Sequence, residues 1–225
     1  MNFGIIVAAG KSERMGPDVD KAFLNLGTKP VLAYALTAFE ACPDIDGVVL
    51  VVRKDRLDAA RGLVQMYGCA KVQAVVPGGA SRQQSVERGL AELNEEVKIV
   101  AVHDGARPCV SVALISETVK AAKRYGSGVA AVKVTDTIKE VSQGLAVTRT
   151  LDRSHLWAVQ TPQTFRRDLL EAALKVVSAK KQAVTDEASA VEVTGETVHL
   201  VPASATNVKI TTPEDLAIAA ALLKI

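Results

Sequence analysis

Three short polar clusters follow apolar, strand-length runs in this sequence, and their residue types suit phosphate chemistry. Residues 10–21 follow the first run, residues 77–81 the third and residues 104–108 the fourth. In open α/β sheets, ligands bind beyond the carboxyl ends of the strands. We therefore expect one ligand site to gather residues from all three clusters.

The first cluster has the composition of a phosphate-binding loop. Small residues at positions 8–10 let backbone N–H groups approach a phosphate, and basic side chains follow them. Lys21 could fold back over such a phosphate, although alone it reads as a surface lysine. A Walker A loop is excluded because five residues, not four, separate Gly4 from Gly10, and no G-x-G-x-x-G fingerprint is present. A small-residue turn without a ligand is the alternative.

The second cluster, HDGARP, contains a carboxylate and a guanidinium. Asp104 ends a predicted buried strand, a good position for a Mg²⁺ ligand because hard cations prefer carboxylate oxygen. Arg107 could bind a phosphate through two hydrogen bonds. In the alternative interpretation, Asp104 caps the region of Ser111 or pairs with Arg107.

Four further residues have both a functional and a structural interpretation. Arg153 suits a phosphate or an exposed ion pair, and Trp157 is better explained as a core anchor than as a base-stacking platform. Thr185 is a plausible helix cap first and a ligand contact second. Lys209 lies in an otherwise apolar predicted strand, where an unpaired ammonium is costly. It therefore needs an anion, either Asp104 or a substrate phosphate.

Apolar runs alternate with helix-length segments, which predicts an α/β fold with a Rossmann-like, doubly wound, mostly parallel sheet. The predicted strands cover residues 3–8, 48–52, 72–76, 99–102 and 129–134, and the helices residues 30–41, 55–67, 82–93 and 112–125. A capping box is predicted at Ser81/Gln84, and Thr212 is predicted to cap a helix with Pro213 at its first position and acidic residues in its first turn. Residues 137–150 instead predict a β-hairpin that turns at residues 142–144, within an arm of about residues 135–152. Such an insertion is a lid, an oligomer contact or a plain surface flap.

Composition limits the class of protein. The 225 residues are 48% apolar and 23% charged with a net charge of +2, which predicts one globular domain. The chain contains neither a basic block for nucleic acid nor an apolar run long enough to span a membrane, and its N-terminus reads as a strand rather than a signal peptide. The three cysteines show no metal-ligand spacing. These features predict a cytoplasmic protein with reduced thiols.

Ordered motifs extend nearly from end to end of the chain. They are AAGKSERM, GGASRQQSV, HDGARP, TDTIK, TLDRSHLW, QTPQ, TDEAS and NVKITTPEDL, with Lys21 after the first. Together they resemble the 2-C-methyl-D-erythritol 4-phosphate cytidylyltransferase family of the non-mevalonate isoprenoid pathway. Two departures are mild: Ser12 stands where the family often has glycine, and Gly105 where alanine is common.

The resemblance implies a role for each matching position. It implies catalytic roles for Arg14, Lys21, Asp104 and Lys209, with Asp104 holding Mg²⁺ or another divalent cation. The implied CTP-binding residues are Ala8, Ala9, Gly10, Lys11, Ser12, Met15, Gly79, Ala80 and Ser85. The implied acceptor-binding residues are Arg107, Thr137, Arg153, Thr161 and Thr185. The hairpin is implied to hold a homodimer together.

The implied reaction is attack by an acceptor phosphate oxygen on the α-phosphorus of CTP, with release of pyrophosphate. A related rival is a cytidylyltransferase that uses ribitol 5-phosphate. A rival from another class is a nucleotide-binding subunit without turnover, although such a protein would tend to lose Asp104, Lys21 or Arg14. An NAD-dependent oxidoreductase is poorly supported without the glycine fingerprint.

Overall fold

A computed structural model describes residues 1–10, 15 and 20–225. In chain order its strands are β1 (Asn2–Ala8), β2 (Asn25–Leu26), β3 (Lys29–Pro30), β4 (Gly47–Val52), β5 (Val72–Pro77), β6 (Ile99–Asp104), β7 (Ser127–Lys133), β8 (Lys139–Val141), β9 (Val147–Thr150), β10 (Trp157–Arg166) and β11 (Leu200–Pro202). Its helices are α1 (Val31–Ala41), α2 (Leu57–Met66), α3 (Arg82–Ala91), α4 (Val112–Tyr125), α5 (Arg167–Ala179), α6 (Glu187–Glu192) and α7 (Pro213–Leu223). None of the helices within this described part has the length and apolar character needed to cross a membrane.

The central sheet has the strand order β11-β7-β10-β6-β1-β4-β5. Neighbouring strands pair in parallel except at β10, which runs antiparallel to both β6 and β7. Helices α1, α2 and α4 pack on one face of the sheet, and α3, α5 and α6 pack on the other. The predicted α/β fold with a mostly parallel, doubly wound sheet is confirmed.

The strands are apolar throughout because both faces of the sheet are covered. In β1, Ile6 packs into the layer that contains Leu36 of α1, whereas Ile5 packs into the layer that contains Val86 of α3. Successive side chains of a strand point to opposite faces, so both layers need apolar residues. Every residue of β4 is buried.

Helix ends agree with the predicted caps in most places. Helix α4 has its predicted bounds because Ser111 accepts a hydrogen bond from the Leu114 amide and Gly126 ends the helix at a φ of 88°. Asp215 accepts from the amides of residues 211 and 212 at the start of α7. The capping box predicted at Ser81 is only half formed. Gln84 donates its amide to Ser81 but uses its side-chain oxygen on the Ala80 amide.

The predicted hairpin exists as an exposed two-stranded arm. Strands β8 and β9 pair antiparallel, starting at Lys139 opposite Thr150. The turn is longer than the predicted residues 142–144, because the amide of Ser142 donates to the carbonyl of Ala146. Gly144 lies inside this turn with a φ of 72°, a left-handed conformation that glycine adopts without strain.

Trp157 does not anchor the core, contrary to the prediction. It is 38% exposed at the start of β10. The first residues of β10 pair with β7, whereas the pairing of β10 with β6 begins only at Gln163. The indole therefore lies beyond the end of β6, near the base of the arm.

Candidate active site

A cleft of about 570 Å³ opens at the carboxyl ends of β1 and β6. The chain passes from β1 to β4 and β5 on one side, and β6 returns on the other side of β1, so the strand order reverses here. Such a reversal is where open α/β sheets bind ligands. Residues predicted to bind CTP line this space, and for that reason we call it the nucleotide cleft. The predicted site residues in its lining are Ala8, Ala9, Gly10, Lys21, Gly79, Ala80, Ser85, Asp104 and Lys209.

Some of the predicted nucleotide-binding residues are not part of this lining. Lys11, Ser12 and Arg14 lie outside the described residues. Met15 packs against the apolar cluster that includes Leu26, rather than facing the cleft.

A smaller cavity of about 350 Å³ adjoins the nucleotide cleft. Arg82, Asp104 and Lys209 line both spaces, so the two meet at these side chains. The predicted acceptor residues that line this second cavity are Arg107, Thr161 and Thr185.

The other two predicted acceptor residues lie elsewhere. Thr137 and Arg153 flank the arm, are exposed, and do not line the cavity. The guanidinium of Arg153 donates to the carbonyl of Thr135.

Thr185 is not a helix cap. The cap of α6 is Asp186, which accepts a hydrogen bond from the amide of Ser189 at 2.9 Å while the Ser189 hydroxyl accepts from the amide of Asp186. Because the cap lies one residue later than predicted, Thr185 stays outside the helix, at the edge of the second cavity.

Asp104 is the centre of charge in both spaces. Its Oδ2 lies 2.7 Å from the ammonium of Lys209 and 3.8 Å from Nε of Arg107, and its Oδ1 lies 3.2 Å from Nη2 of Arg82. Burial alone would raise the pKa of Asp104, but these cations together hold it well below the usual range. The carboxylate is therefore ionised, and positive charge surrounds it.

Lys209 reaches Asp104 from an irregular segment rather than from the predicted strand. The amide of Ile210 donates to the carbonyl of Ala106 at 2.8 Å, and Arg107 donates to the carbonyl of Asn207 at 2.7 Å. These two bonds fix the backbone on either side of Lys209. The sequence predicted that Lys209 needs an anionic partner, and in this structure that partner is Asp104.

The loop after β5 packs tightly against the end of β1. A Cβ atom on Gly78 would lie 2.2 Å from the Cβ of Ala9, so only glycine permits this approach. The amide of Gly79 donates to the hydroxyl of Ser85 at 3.0 Å, and the amide of Ala80 donates to the side chain of Gln84. Both amides are thus used inside the loop.

A hydrogen-bonded chain behind the site holds Asp104 and Thr161. Burial lowers the pKa of His103 to about 3, so its imidazole is neutral. Nε2 faces the carbonyl of Arg107, which can only accept, and Nδ1 therefore accepts from the hydroxyl of Thr161. The Thr161 oxygen in turn accepts from the amide of Asp104 at 3.0 Å.

The sequence interpretation assigned no role to Arg82, Glu187 or Asn207. The side chain of Asn207 donates to Gln160 and to the carbonyl of Thr161. Arg82 and Glu187 form an ion pair at the site. Arg82 and Glu187 lie inside the motifs GGASRQQSV and TDEAS, which could have marked them as site residues. Their pairing could not be predicted because they are 105 positions apart in the sequence.

The side chains at the point where the two spaces meet suit a divalent cation that is held mainly by substrate phosphates. Within residues 1–10, 15 and 20–225, no group of three or more His, Cys, Asp or Glu side chains could hold a metal. Mg²⁺ commonly uses one or two carboxylates together with substrate phosphates and water. The ionised carboxylate of Asp104, at the lining of both spaces, fits that arrangement.

Comparisons with known proteins agree with this architecture. A sequence model of the family "2-C-methyl-D-erythritol 4-phosphate cytidylyltransferase" matches residues 3–225. A curated protein of that name from Dehalococcoides mccartyi is 46% identical over 98% of this chain and 95% of its own length. Another from Pelotomaculum thermopropionicum is 45% identical over 98% of this chain and 93% of its own.

A solved structure has the same fold. The crystal structure of 4-diphosphocytidyl-2C-methyl-D-erythritol synthase from Anaerococcus prevotii matches with a TM-score of 0.87 and 30% identity. The match covers 99% of this chain and 98% of that one.

Proposed function

Because this chain belongs to the 2-C-methyl-D-erythritol 4-phosphate cytidylyltransferase family, we propose that it transfers CMP from CTP to the phosphate of 2-C-methyl-D-erythritol 4-phosphate, with release of pyrophosphate. The product of this step is 4-diphosphocytidyl-2-C-methyl-D-erythritol, an intermediate of isoprenoid precursor biosynthesis.

The observation that carries the proposal is the junction of the two spaces. The larger cleft has room for a nucleotide, and the smaller cavity presents Arg107, Thr161 and Thr185 to a phosphorylated acceptor. Both spaces end at Asp104 and Lys209. A nucleotide in one space and an acceptor in the other would therefore bring the α-phosphorus and the acceptor phosphate together there.

The chemistry requires alignment and charge neutralisation. The nucleophile is a phosphate oxygen, which is already an anion, so no general base has to activate it. His103 could not serve as one because it is buried and both of its ring nitrogens are already hydrogen-bonded, one to the carbonyl of Arg107 and the other to the hydroxyl of Thr161. Lys21 and Lys209 at the lining supply positive charge where negative charge builds up. The resemblance implies the same role for Arg14, which lies outside the described residues.

Asp104 is the residue that would hold Mg²⁺. When bound, the ion would neutralise charge on the phosphate oxygens of the nucleotide. Arg82 and Lys209, which also contact this carboxylate, keep it ionised and oriented towards the cleft.

Nucleotide selectivity tests the proposal. The amides of Gly79 and Ala80 donate inside the loop, and the carbonyls of Pro77 and Gly78 accept from Arg88, so we assign base recognition to the carbonyls of Gly79 and Ala80. These oxygens accept hydrogen bonds from the amino group of cytosine but leave the carbonyl of uracil unpaired. We expect kcat/KM for CTP to exceed that for UTP by ~10²-fold or more.

Pyrophosphate release, measured for each nucleoside triphosphate, checks this expectation. Running 2-C-methyl-D-erythritol 4-phosphate beside ribitol 5-phosphate tests the acceptor in the same assay. Similar kcat/KM values for CTP and UTP would overturn the loop assignment, and a preference for ribitol 5-phosphate would overturn the proposed acceptor.

A homodimer held by the arm is part of the same proposal. The arm pairs only with itself among the described residues, and it exposes Val141, Leu145 and Val147. An isolated two-stranded hairpin is marginally stable in water, so a second arm is a fitting partner. A partner subunit would also explain why Arg153 lies outside the acceptor cavity of its own chain.

The three free cysteines fit a reducing, cytoplasmic location.

Removing the arm tests the dimer. The amide of Leu151 donates to the carbonyl of Ile138, so the chain ends at the arm's base already lie together. Replacing residues 139–150 with a short Gly-Ser linker should give monomers that bind CTP but use the acceptor poorly. Sedimentation and CTP titration measure both effects.

The matched control is Arg153→Ala. It should remain dimeric while its KM for the acceptor rises, because only the guanidinium is lost. A fully active monomer after arm removal would exclude the arm from both roles.

A further inference from the structure

Arg82 lies where the nucleotide cleft meets the smaller cavity proposed for the acceptor, which we call the acceptor cavity. It is the first residue of α3, and its guanidinium lines both spaces. Nε and Nη2 donate to Oδ1 of Asp104 at 3.3 and 3.2 Å, and Nη1 donates to Oε1 of Glu187 at 2.5 Å. All three nitrogens are thus committed to two carboxylates, so the planar group has one orientation.

We call Arg82 and its two carboxylate partners, Asp104 and Glu187, the clamp. Glu187 is the more deeply buried of the two partners. Its side chain is 2% exposed, and burial raises its pKa above the usual range although Arg82 opposes the shift. The second oxygen, Oε2, has no hydrogen-bond partner among the described residues. A buried carboxylate with one oxygen unpaired is costly, and an apolar side chain of similar volume is often as stable or more so. Packing alone therefore does not explain a glutamate here.

The clamp joins segments that come together only in the folded protein. Glu187 begins α6 on one side of the acceptor cavity, and Asp104 ends β6 beneath the junction. Arg82 connects them across the point where the proposed reaction takes place. A guanidinium held at both ends keeps the Asp104 carboxylate in place at the point where the two spaces meet.

We propose that Arg82, anchored by Glu187, is a positioning residue for the transfer reaction: it sets the orientation of Asp104 and the alignment of the two substrates across the junction. Glu187 acts only through Arg82. This role rests on the proposed function, and it predicts an effect on turnover rather than on affinity, because misalignment by about 1 Å can cost ~10²-fold in rate.

The test uses Arg82→Gln, Glu187→Gln and the double variant in the full-length enzyme. We expect kcat to fall ~10²-fold in Arg82→Gln and ~10-fold or more in Glu187→Gln, with KM for both substrates within ~3-fold of wild type. The double variant should be no slower than Arg82→Gln, because residues that act as a unit are not additive. Glu171→Gln, which alters an Arg–Glu pair on α5 away from the site, is the matched control and should retain wild-type turnover.

Each other result overturns the proposal. Near-normal kcat in Arg82→Gln removes the positioning role, and additive losses in the double variant show that the two residues act independently. Normal kcat with a lowered unfolding midpoint in Glu187→Gln makes the pair structural only.

Unfolding of the same variants gives a readout independent of activity. The clamp requires that the effects of Arg82→Gln and Glu187→Gln on the unfolding midpoint be coupled, and the absence of coupling would rule it out. Failure of the proposed function is a separate outcome, namely a wild-type enzyme that releases no pyrophosphate although the stability coupling is present.

Discussion

Replacing Asp104 with asparagine should reduce kcat/KM by ~10³-fold or more and abolish the Mg²⁺ dependence of turnover. Asparagine keeps the size of the side chain but removes the charge that faces Lys209 and Arg82. It also removes the carboxylate proposed to hold the cation. Pyrophosphate release over a Mg²⁺ titration measures both losses, and circular dichroism checks that the sheet and helices remain.

The matched control is Asp58→Asn. Asp58 forms a 3.0 Å ion pair with Arg61 on the exposed face of α2, so the same chemical change occurs far from the site. This control should keep wild-type activity because exposed pairs contribute little. If Asp104→Asn kept near-normal activity with an unchanged Mg²⁺ response, the assignment of Asp104 as the metal ligand would be wrong.

Replacing Lys21 with methionine should lower kcat by at least ~10²-fold while KM for CTP changes little. The backbone beside Lys21 is fixed, because the buried Asp20 accepts from the amide of Ala22 at 3.2 Å and lies 3.4 Å from Nε of Arg56. Lys21 is thus presented to the cleft from a supported position. A preorganised charge contributes most where negative charge increases towards the transition state.

Lys54→Met is the control for Lys21→Met, because Lys54 is an exposed lysine that does not line the cleft. Steady-state kinetics with CTP varied separates the two parameters. A variant whose only defect is a raised KM for CTP would assign Lys21 to ground-state binding.

The elements that sequence predicted best are those whose local pattern and burial agree. Continuous apolar runs correspond to buried strands, as in the predicted residues 48–52 and the observed Gly47–Val52. Helix α4 has the bounds predicted from its helix-length segment, and in the structure Ser111 caps its start and Gly126 ends it.

Strand β10 could not be predicted because four of its six buried residues, Gln160, Thr161, Gln163 and Thr164, are polar. Gln163 donates to Asp186, Thr164 to Thr118, and Gln160 accepts from Asn207. Each partner is far away in the sequence. A strand whose buried groups are satisfied by tertiary hydrogen bonds lacks the apolar periodicity that marks a strand.

Part of the candidate site could be predicted because its residues directly follow the apolar runs that mark the strands. Asp104 and Gly10 follow apolar runs, so the sheet topology brings them to one edge. Arg82 and Glu187 were missed because their ion pair spans 105 positions, and neither residue alone differs from a surface charge. Lys209 was found by its charge among apolar neighbours, although the segment around it is not a strand.

The two cavities are built from segments that span almost the whole chain, from Val7 to Lys209. Lys209, the lining residue furthest along the sequence, is synthesised after every other residue of both linings. A nascent chain can pair β1 with β4 and β5 early, but neither space has its full lining until residues 207–210 bond to Ala106 and Arg107. Because long-range contacts form late, we expect a complete site only at the end of folding, and a translation product that stops before residue 207 would lack it.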